Sequence, residues 1–389
     1  MSELILKAIY SILIFCYISM RIMRDGMIVA AVGQEGTSVS KAISLILIFI
    51  FSFFQNKYNK KASLNKGITI FCLIFGFLIL IIHFDLIPNN EYKFGLSDIL
   101  NRLLNKPKVL FFYILSEIFA VFIVTNFWLL SNSLIKKHNH GKYIYNQLFS
   151  ISQIGVLISS GTCILFSGMP LILISFCMFL ISYLVKLLPT IYLEEKKETQ
   201  IVVNRSVLMI PFIGVLCGLF SGMIDPYTKV QIQKISFDNK TYINRLGTMW
   251  ILQAVLSMIF GEIFKFQFVF KKVLTPAICT LLISILLFLN GSVTQFYYAI
   301  CCSICVVVFK TLKYSTHSPF KENYIKEQKE MNSILFFDGL AGRFGKNYVA
   351  IIFAVLFNFG FKWVDIENTV LVSSVFCTSF WFILAFSLK

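Results

Sequence analysis

EEKKETQIVVNR, Glu194 to Arg205, is the stretch on which the fold turns. It is polar and charged, it lies near the middle of the chain, and twelve apolar runs flank it, six on each side. Before it come 6–32, 40–55, 67–87, 108–131, 144–166 and 168–191; after it come 206–228, 242–264, 273–290, 292–311, 334–358 and 366–388. A helix needs about 20 apolar residues to cross the hydrocarbon of a bilayer, whereas barrel strands alternate and run only about ten. These runs are continuous, so they predict helices. Only 40–55 is short for a span, and Arg24-Asp25-Gly26 breaks the first run near its outer third. Composition agrees: 57% of residues are hydrophobic and 14% charged, against about 45–50% and about 25% in soluble domains. The chain reads as an all-α integral membrane protein.

The connections set its orientation. KYNKKASLNK (57–66), KKHNHGK (136–142), EEKKETQIVVNR, KFQFVFKK (265–272) and the long loop 310–333 all follow even-numbered runs. They carry much of the net charge of +16. Connections after odd-numbered runs are short or less basic, except for the long, mixed segment 83–108. Lys and Arg accumulate in cytoplasmic loops, so both termini are expected to be cytoplasmic. The first run has no A-x-A-like cleavage site and continues into a span, so no cleaved signal peptide is expected. Two six-helix halves, 1–193 and 206–389, joined by a cytoplasmic linker at 194–205, make a major-facilitator-like architecture around a shared central cavity. No internal sequence repeat is evident, and a channel or a membrane-embedded enzyme has the same span count.

Ionisable residues at membrane depth are costly and are read first as functional. Arg24, Asp25, Lys41, Glu117, Asp225, Lys229, Asp338, Arg343 and Lys346 lie within the runs or at their edges, and Lys313 follows the tenth. Asp225 and Lys229 are i, i+4 neighbours on one helical face. That pair, and Arg24–Asp25 with a neighbour, also fit plain structural clamps. The cations Arg24, Lys41, Lys229, Lys313, Arg343 and Lys346 outnumber the carboxylates Asp25, Glu117, Asp225 and Asp338, which leaves room for a polyanion. Lysine meets phosphate as a point charge and arginine as a fork. Tyr113, Tyr145, Phe149, Tyr227, Trp250 and Tyr314 interleave with these cations, where a flat base could stack or the rings could simply pack.

The ten cysteines all fall in apolar runs without zinc-ligand spacing, so no metal, cofactor or disulfide framework is expected. No Walker-type loop, H-E-x-x-H or G-x-S-x-G is present, so no catalytic residue is assigned and a carrier is expected in preference to an enzyme. The rival outside transport is a multi-span enzyme acting on a phosphorylated lipid. That reading requires a carboxylate- or histidine-rich cluster at one surface, whereas the charges here spread through both halves.

Four stretches carry a more specific signal. Arg24-Asp25 is followed by an apolar run, a glycine and Lys41; SEIFAVFIVTNFWLLSN (116–132) precedes YNQLFSISQIGVLISSG (145–161). GMIDPYTKVQIQK (222–234) leads into YINRLGTMW (242–250), and KYSTHSPFKENYI (313–325) precedes GLAGRFGKN (339–347). Together they resemble the non-mitochondrial ATP/ADP translocases of bacteria, plastids and microsporidia, in the family's order and across both halves. The resemblance implies functional roles for Glu117, Lys313, Lys321, Glu322, Arg343 and Lys346, with Asp225 at a position where the family has glutamate and Lys229 at the family lysine.

On that resemblance Arg24, Lys41, Lys229, Lys313, Lys321, Arg343 and Lys346 hold phosphates. Asp25, Glu117, Asp225 and Glu322 form ion pairs that break and re-form during transport. It also implies ATP/ADP or a related nucleotide as substrate, the bilayer as surroundings, no nucleic acid, a monomer, and the plasma (inner) membrane of an intracellular bacterium. The chain departs from the family pattern at four places. Gly26 follows Asp25 where the family continues Thr-Lys-Asp, Ser318 replaces an aspartate, Asn323 replaces a methionine, and Tyr227 or Thr228 stands for a tryptophan. Exchange of ATP for ADP, proton-coupled nucleotide uptake, NAD uptake, carriage of another phosphorylated anion and a member with little activity all stay open.

Overall fold

The computed structural model describes residues 2–59, 63–89, 97–136, 141–166, 170–191, 205–264, 269–289, 294–312 and 331–387. Among them are thirteen helices and no strand. They are α1 (Ser2–Val32), α2 (Glu35–Asn59), α3 (Leu64–His83), α4 (Asp98–Leu104), α5 (Pro107–Lys136), α6 (Gly141–Leu165) and α7 (Pro170–Lys186), then α8 (Arg205–Lys234), α9 (Asn239–Phe264), α10 (Val269–Leu289), α11 (Gln295–Leu312), α12 (Met331–Asn358) and α13 (Trp363–Ser387). Each expected span coincides with one helix.

Three details differ from the sequence reading. The second span is a 25-residue helix, because its polar flanks are helical too. Gly33, at φ +88°, makes the turn that precedes it, and Thr37 donates its hydroxyl to the Gln34 carbonyl at 2.7 Å. The first helix runs unbroken through Arg24-Asp25-Gly26. Its two charges are paired, and an added Cβ on Gly26 would fall 2.8 Å from the Ile243 side chain. The segment 83–108 holds α4, whose N-cap Ser97 accepts from Leu100 N at 3.4 Å.

The apolar residues fall on two opposite faces, as a lipid-embedded helix requires. On α3, Ile68, Phe71, Cys72, Phe75, Ile79 and Ile82 are buried, while Ile70, Leu73, Ile74 and Phe77 are exposed. A contiguous exposed apolar stripe of this kind would be a liability in water. Three described helices, Glu3–Val32, Leu64–His83 and Trp363–Leu384, are apolar and long enough to cross a bilayer by length and composition alone; charged and polar positions interrupt several of the others.

The chain forms two compact units, Met1–Lys197 with Asn239–Ile251, and Glu198–Asp238 with Leu252–Lys389. Helix α9 therefore gives its first half to the first unit and its remainder to the second. In the first unit α1 packs on α5, α6 and α7, and α3 packs on α7. Ser19 and Ser159 share a 2.8 Å hydroxyl contact between α1 and α6. Gly76 of α3 admits the Phe179 ring and accepts from Ser175 Oγ at 2.8 Å. Residues 239–251 join through Tyr242, which donates to Gln34 Oε1 at 3.3 Å, and through Gly247 against Ile164.

In the second unit α8 packs on α11, α12 and α13, and α10 packs on α13. Tyr227 and Tyr298 join their hydroxyls at 2.7 Å, and Lys234 pairs with Glu367. The two units repeat one packing device. A glycine of α6, Gly155, sits where a Cβ would lie 2.7 Å from the Ser11 carbonyl oxygen of α1. A glycine of α12, Gly345, likewise lies against the Val215 carbonyl oxygen of α8, where a Cβ would be 2.8 Å from Leu219 N. Contacts further along (Ser19 with Ser159, Gly222 with Val349) show that each helix pair runs in one direction.

Asn65 fastens the far end of α7. Its Nδ2 reaches the carbonyls of Val185 (3.2 Å), Leu188 (3.4 Å) and Pro189 (3.2 Å), and its Oδ1 accepts from Ile191 N at 3.0 Å. Val185 lies in the last turn of α7 and Leu188 and Pro189 follow it, so one amide closes the segment that leaves the helix. Asn65→Ala is expected to destabilise the protein by about 2–4 kcal/mol, read as a lower midpoint in a thermal melt of the detergent-solubilised protein. Asn65→Asp, which keeps the acceptor but turns a carboxylate toward three carbonyls, is expected to be at least as damaging.

Candidate functional site

Each unit holds one buried cluster of charge. In the first, Arg24 of α1 reaches α5. Its Nη1 donates to Glu117 Oε1 at 2.5 Å and to Ser116 Oγ at 3.1 Å, and its Nε donates to Asp25 Oδ1 at 3.1 Å. The Ser116 hydroxyl in turn donates a hydrogen bond to the Tyr113 carbonyl at 2.8 Å, and the guanidinium lies 4.5 Å from the centre of the Tyr113 ring. Two carboxylates, a hydroxyl and an aromatic face therefore satisfy one arginine. Burial of an ion pair is tolerable only with such partners, because the desolvation of each ion costs several kcal/mol.

Arg21 is the residue that the sequence reading passed over. It stands one turn before Arg24 on the same face of α1 and is buried. Its guanidinium lies 5.0 Å from the centre of the Trp250 ring, which the first half of α9 supplies. The signal was present in RIMRD (21–25), where Arg21 precedes Asp25 by four residues, the spacing of a helical ion pair.

In the second unit Asp225 of α8 meets two ammonium groups. Lys229, one turn on, lies 3.7 Å from Oδ2, and Lys346 of α12 lies 3.5 Å from the same oxygen. The carboxylate is 5% exposed, Lys229 9% and Lys346 29%. Two cations against one anion leave these three side chains with a net positive charge, and the lysine that α12 contributes is the most accessible of them. Gly222, one turn before Asp225, gives α12 its approach, because a Cβ there would be 3.2 Å from the Lys346 main chain.

When the two glycine-to-carbonyl contacts are placed in register, Ser11 matches Val215. Ten residues on, Arg21 matches Asp225; fourteen on, Asp25 matches Lys229. Each unit thus carries an i, i+4 pair of opposite charges at the same level of its first helix, with the polarity reversed.

Of the residues read as functional from sequence, Arg24, Asp25 and Glu117 come together in the first unit, and Asp225, Lys229 and Lys346 in the second. Lys41 is half-buried in α2. Arg343 and Asp338 lie in α12, but their side chains are outside the described residues, as are those of Tyr145 and Phe149 in α6. Lys313, Tyr314, Lys321 and Glu322 lie outside the described residues altogether. Of the interleaved aromatics, Tyr113 and Trp250 each face an arginine, and Tyr227 spends its hydroxyl on Tyr298.

The sequence matches no known family model and no curated protein. Solved structures share the fold. A mutant form of the nucleoside transporter NupG superposes with a TM-score of 0.60 at 12% identity, covering 100% of this chain and 98% of that one. A bacterial homologue of the iron transporter ferroportin in an inward-facing state gives 0.64 at 11%, covering 100% and 99%. The POT family transporter PepTSo gives 0.65 at 12%, covering 99% and 96%. The chain has the all-α, major-facilitator-like membrane fold.

Proposed function

We propose that the chain is a multi-pass membrane carrier of nucleotides that exchanges ATP for ADP by alternating access. The observation that carries this reading is the Asp225 carboxylate flanked by Lys229 and Lys346. Lysines at membrane depth are costly and mark a place that an anion can visit. Lysine meets phosphate as a point charge, and Lys346, 29% exposed, is the accessible member of the pair. The fold shared with a nucleoside transporter supports carriage of a related solute, and the four family-like stretches, GLAGRFGKN among them, favour a phosphorylated one. Arg24, Asp25 and Glu117 supply the ion pairs that re-form as access switches sides, and the arrangement asks for no cofactor. The monomer in the bilayer has both termini cytoplasmic on the charge of its loops.

Uptake of radiolabelled ATP into proteoliposomes, with and without internal ADP, tests the reading. Exchange predicts uptake only with internal nucleotide, and Lys346→Ala is expected to reduce it by tenfold or more, with the loss in KM as well as in rate. Uptake that ignores internal ADP but follows a proton gradient would replace exchange by symport. Folded protein that moves no nucleotide under either condition rules out a nucleotide carrier.

A further inference from the structure

We propose that the hydroxyls of Ser40 and Thr228 are donors for a substrate phosphate, one in each unit and each beside the lysine that follows it. The inference rests on the reading of Lys41 and Lys229 as phosphate-holding residues, and gives each a neutral donor that this reading does not use. Ser40 of α2 belongs to the first unit and Thr228 of α8 to the second. Ser40 is wholly buried and Thr228 is 1% exposed, and neither side-chain oxygen has a hydrogen-bond partner. Buried polar groups are nearly always paired, so each exception calls for a reason. A polar group left open at a cost in stability is characteristic of a functional site.

Their own helices offer a partner that they do not take. A serine or threonine inside a helix can donate to the carbonyl one turn back. Ser44, Thr162, Thr248, Ser284 and Ser303 all do so, at 2.6–2.9 Å. The Thr228 hydroxyl also makes no hydrogen bond to the Asp225 carboxylate, three residues before it. Among the described residues Ser131 and Ser160 have the same open oxygen, but only Ser40 and Thr228 stand directly before a lysine. A neighbouring ammonium repels a cationic guest and favours an oxyanion. Ionised phosphate oxygens only accept, so they take the O–H as a hydrogen-bond donor and the ammonium as a point charge. Both hydroxyl oxygens are closed to solvent in this state, so the guest reaches them as the carrier changes access.

The sign of the stability change separates this role from a structural one. Thr228→Val keeps the shape of the side chain and removes a buried hydroxyl without a partner, so it is expected to raise the thermal midpoint of the unliganded protein. The test is binding to the purified, full-length protein, read as thermal stabilisation by ATP and by inorganic tripolyphosphate. Thr228→Val is expected to weaken both by about tenfold, the worth of one hydrogen bond to a charged acceptor. Ser40→Ala is expected to act in the same direction on midpoint and affinity. Thr228→Ser keeps the O–H and is expected to stay within a few-fold of the parent. Thr378 donates to the Ser374 carbonyl at 2.9 Å, so Thr378→Val is expected to lower the midpoint and bind like the parent.

A Thr228→Val or Ser40→Ala protein that binds both ligands like the parent overturns the proposal. So does a Thr228→Val protein that melts below the parent or does not fold, since its hydroxyl then serves the structure. A parent protein stabilised by neither ligand overturns it too. A parent that answers to tripolyphosphate but not to ATP defeats the nucleotide reading alone and leaves the two hydroxyls to be judged on the inorganic anion.

Discussion

Gly345→Ala is expected to remove most of the folded protein, while Gly161→Ala is expected to keep it and raise its stability slightly. Both glycines lie inside helices, and from the sequence alone both replacements should help, since alanine is favoured over glycine by about 1 kcal/mol in a helix. Space reverses the sign at Gly345. A methyl group there would meet the Val215 carbonyl oxygen and approach Leu219 N to 2.8 Å and Gly218 C to 3.2 Å. All three are main-chain atoms of α8 and cannot rotate away as a flexible side chain would. Helix α12 must therefore retreat from α8, its principal partner. Overpacking of a well-filled core costs about 1–3 kcal/mol, and the rigid neighbour puts Gly345→Ala at or above the upper end of that range.

At Gly161 no described atom beyond its own stretch of helix lies within 4 Å of the added methyl. Gly155→Ala is expected to fall between the two, because one carbonyl, that of Ser11 at 2.7 Å, opposes it. The yield of monodisperse protein after solubilisation, followed by its thermal midpoint, ranks the three. A Gly345→Ala protein as stable as the parent would mean that α12 does not rest on α8 in this way. The consequence reaches function, because retreat of α12 also carries Lys346 away from Asp225.

The spans were legible because a continuous apolar run of about 20 residues has few alternatives to a helix. Helix α4 was not legible, since seven residues of mixed charge carry no periodicity strong enough to read. The pair Asp225–Lys229 was legible for the opposite reason: its spacing is one helical turn. Lys346 joins that pair from 121 residues away, and Glu117 joins Arg24 from 93 residues away. No local rule predicts which of several buried charges will meet across such intervals.

The internal repeat was hidden for a related reason. Its register rests on a bare glycine against a main-chain carbonyl, Gly155 on Ser11 and Gly345 on Val215, and the identity of the carbonyl's residue is free to differ. At the charged level of the repeat the two units even carry opposite signs, Arg21 and Asp25 against Asp225 and Lys229. A comparison of residue types scores these as mismatches, although the spacing is preserved. Arg21 escaped notice because Arg24 and Asp25 were read as a dipeptide, when the helix presents 21, 24 and 25 as a single face.

Arg24→Leu is expected to be far more damaging than Glu117→Gln, although each removes one end of the same 2.5 Å contact. The asymmetry follows from the count of partners. Glu117→Gln leaves Arg24 still paired with Asp25 and still donating to Ser116. The amide that replaces the carboxylate keeps an oxygen able to accept from the guanidinium, so a loss of about 1–2 kcal/mol is expected. Arg24→Leu leaves Asp25, almost wholly buried, and Glu117, 19% exposed, without the cation that bridges them. Breaking a buried pair in this sense costs about 3–5 kcal/mol.

Arg24→Lys should fall between the two. It retains the charge, but an ammonium cannot reproduce the fork that reaches Asp25 through Nε and α5 through Nη1. The double replacement Arg24→Leu with Glu117→Gln removes one cation and one carboxylate and leaves Asp25 on the face it shares with Arg21. It is expected to recover part of the loss, since what destabilises the single variant is uncompensated charge and not lost volume. Unfolding of the solubilised protein measures the series. Equal losses for Arg24→Leu and Glu117→Gln would show that the contact between α1 and α5 acts as a simple pair, and that Asp25 and Ser116 do not hold Arg24 when Glu117 is gone.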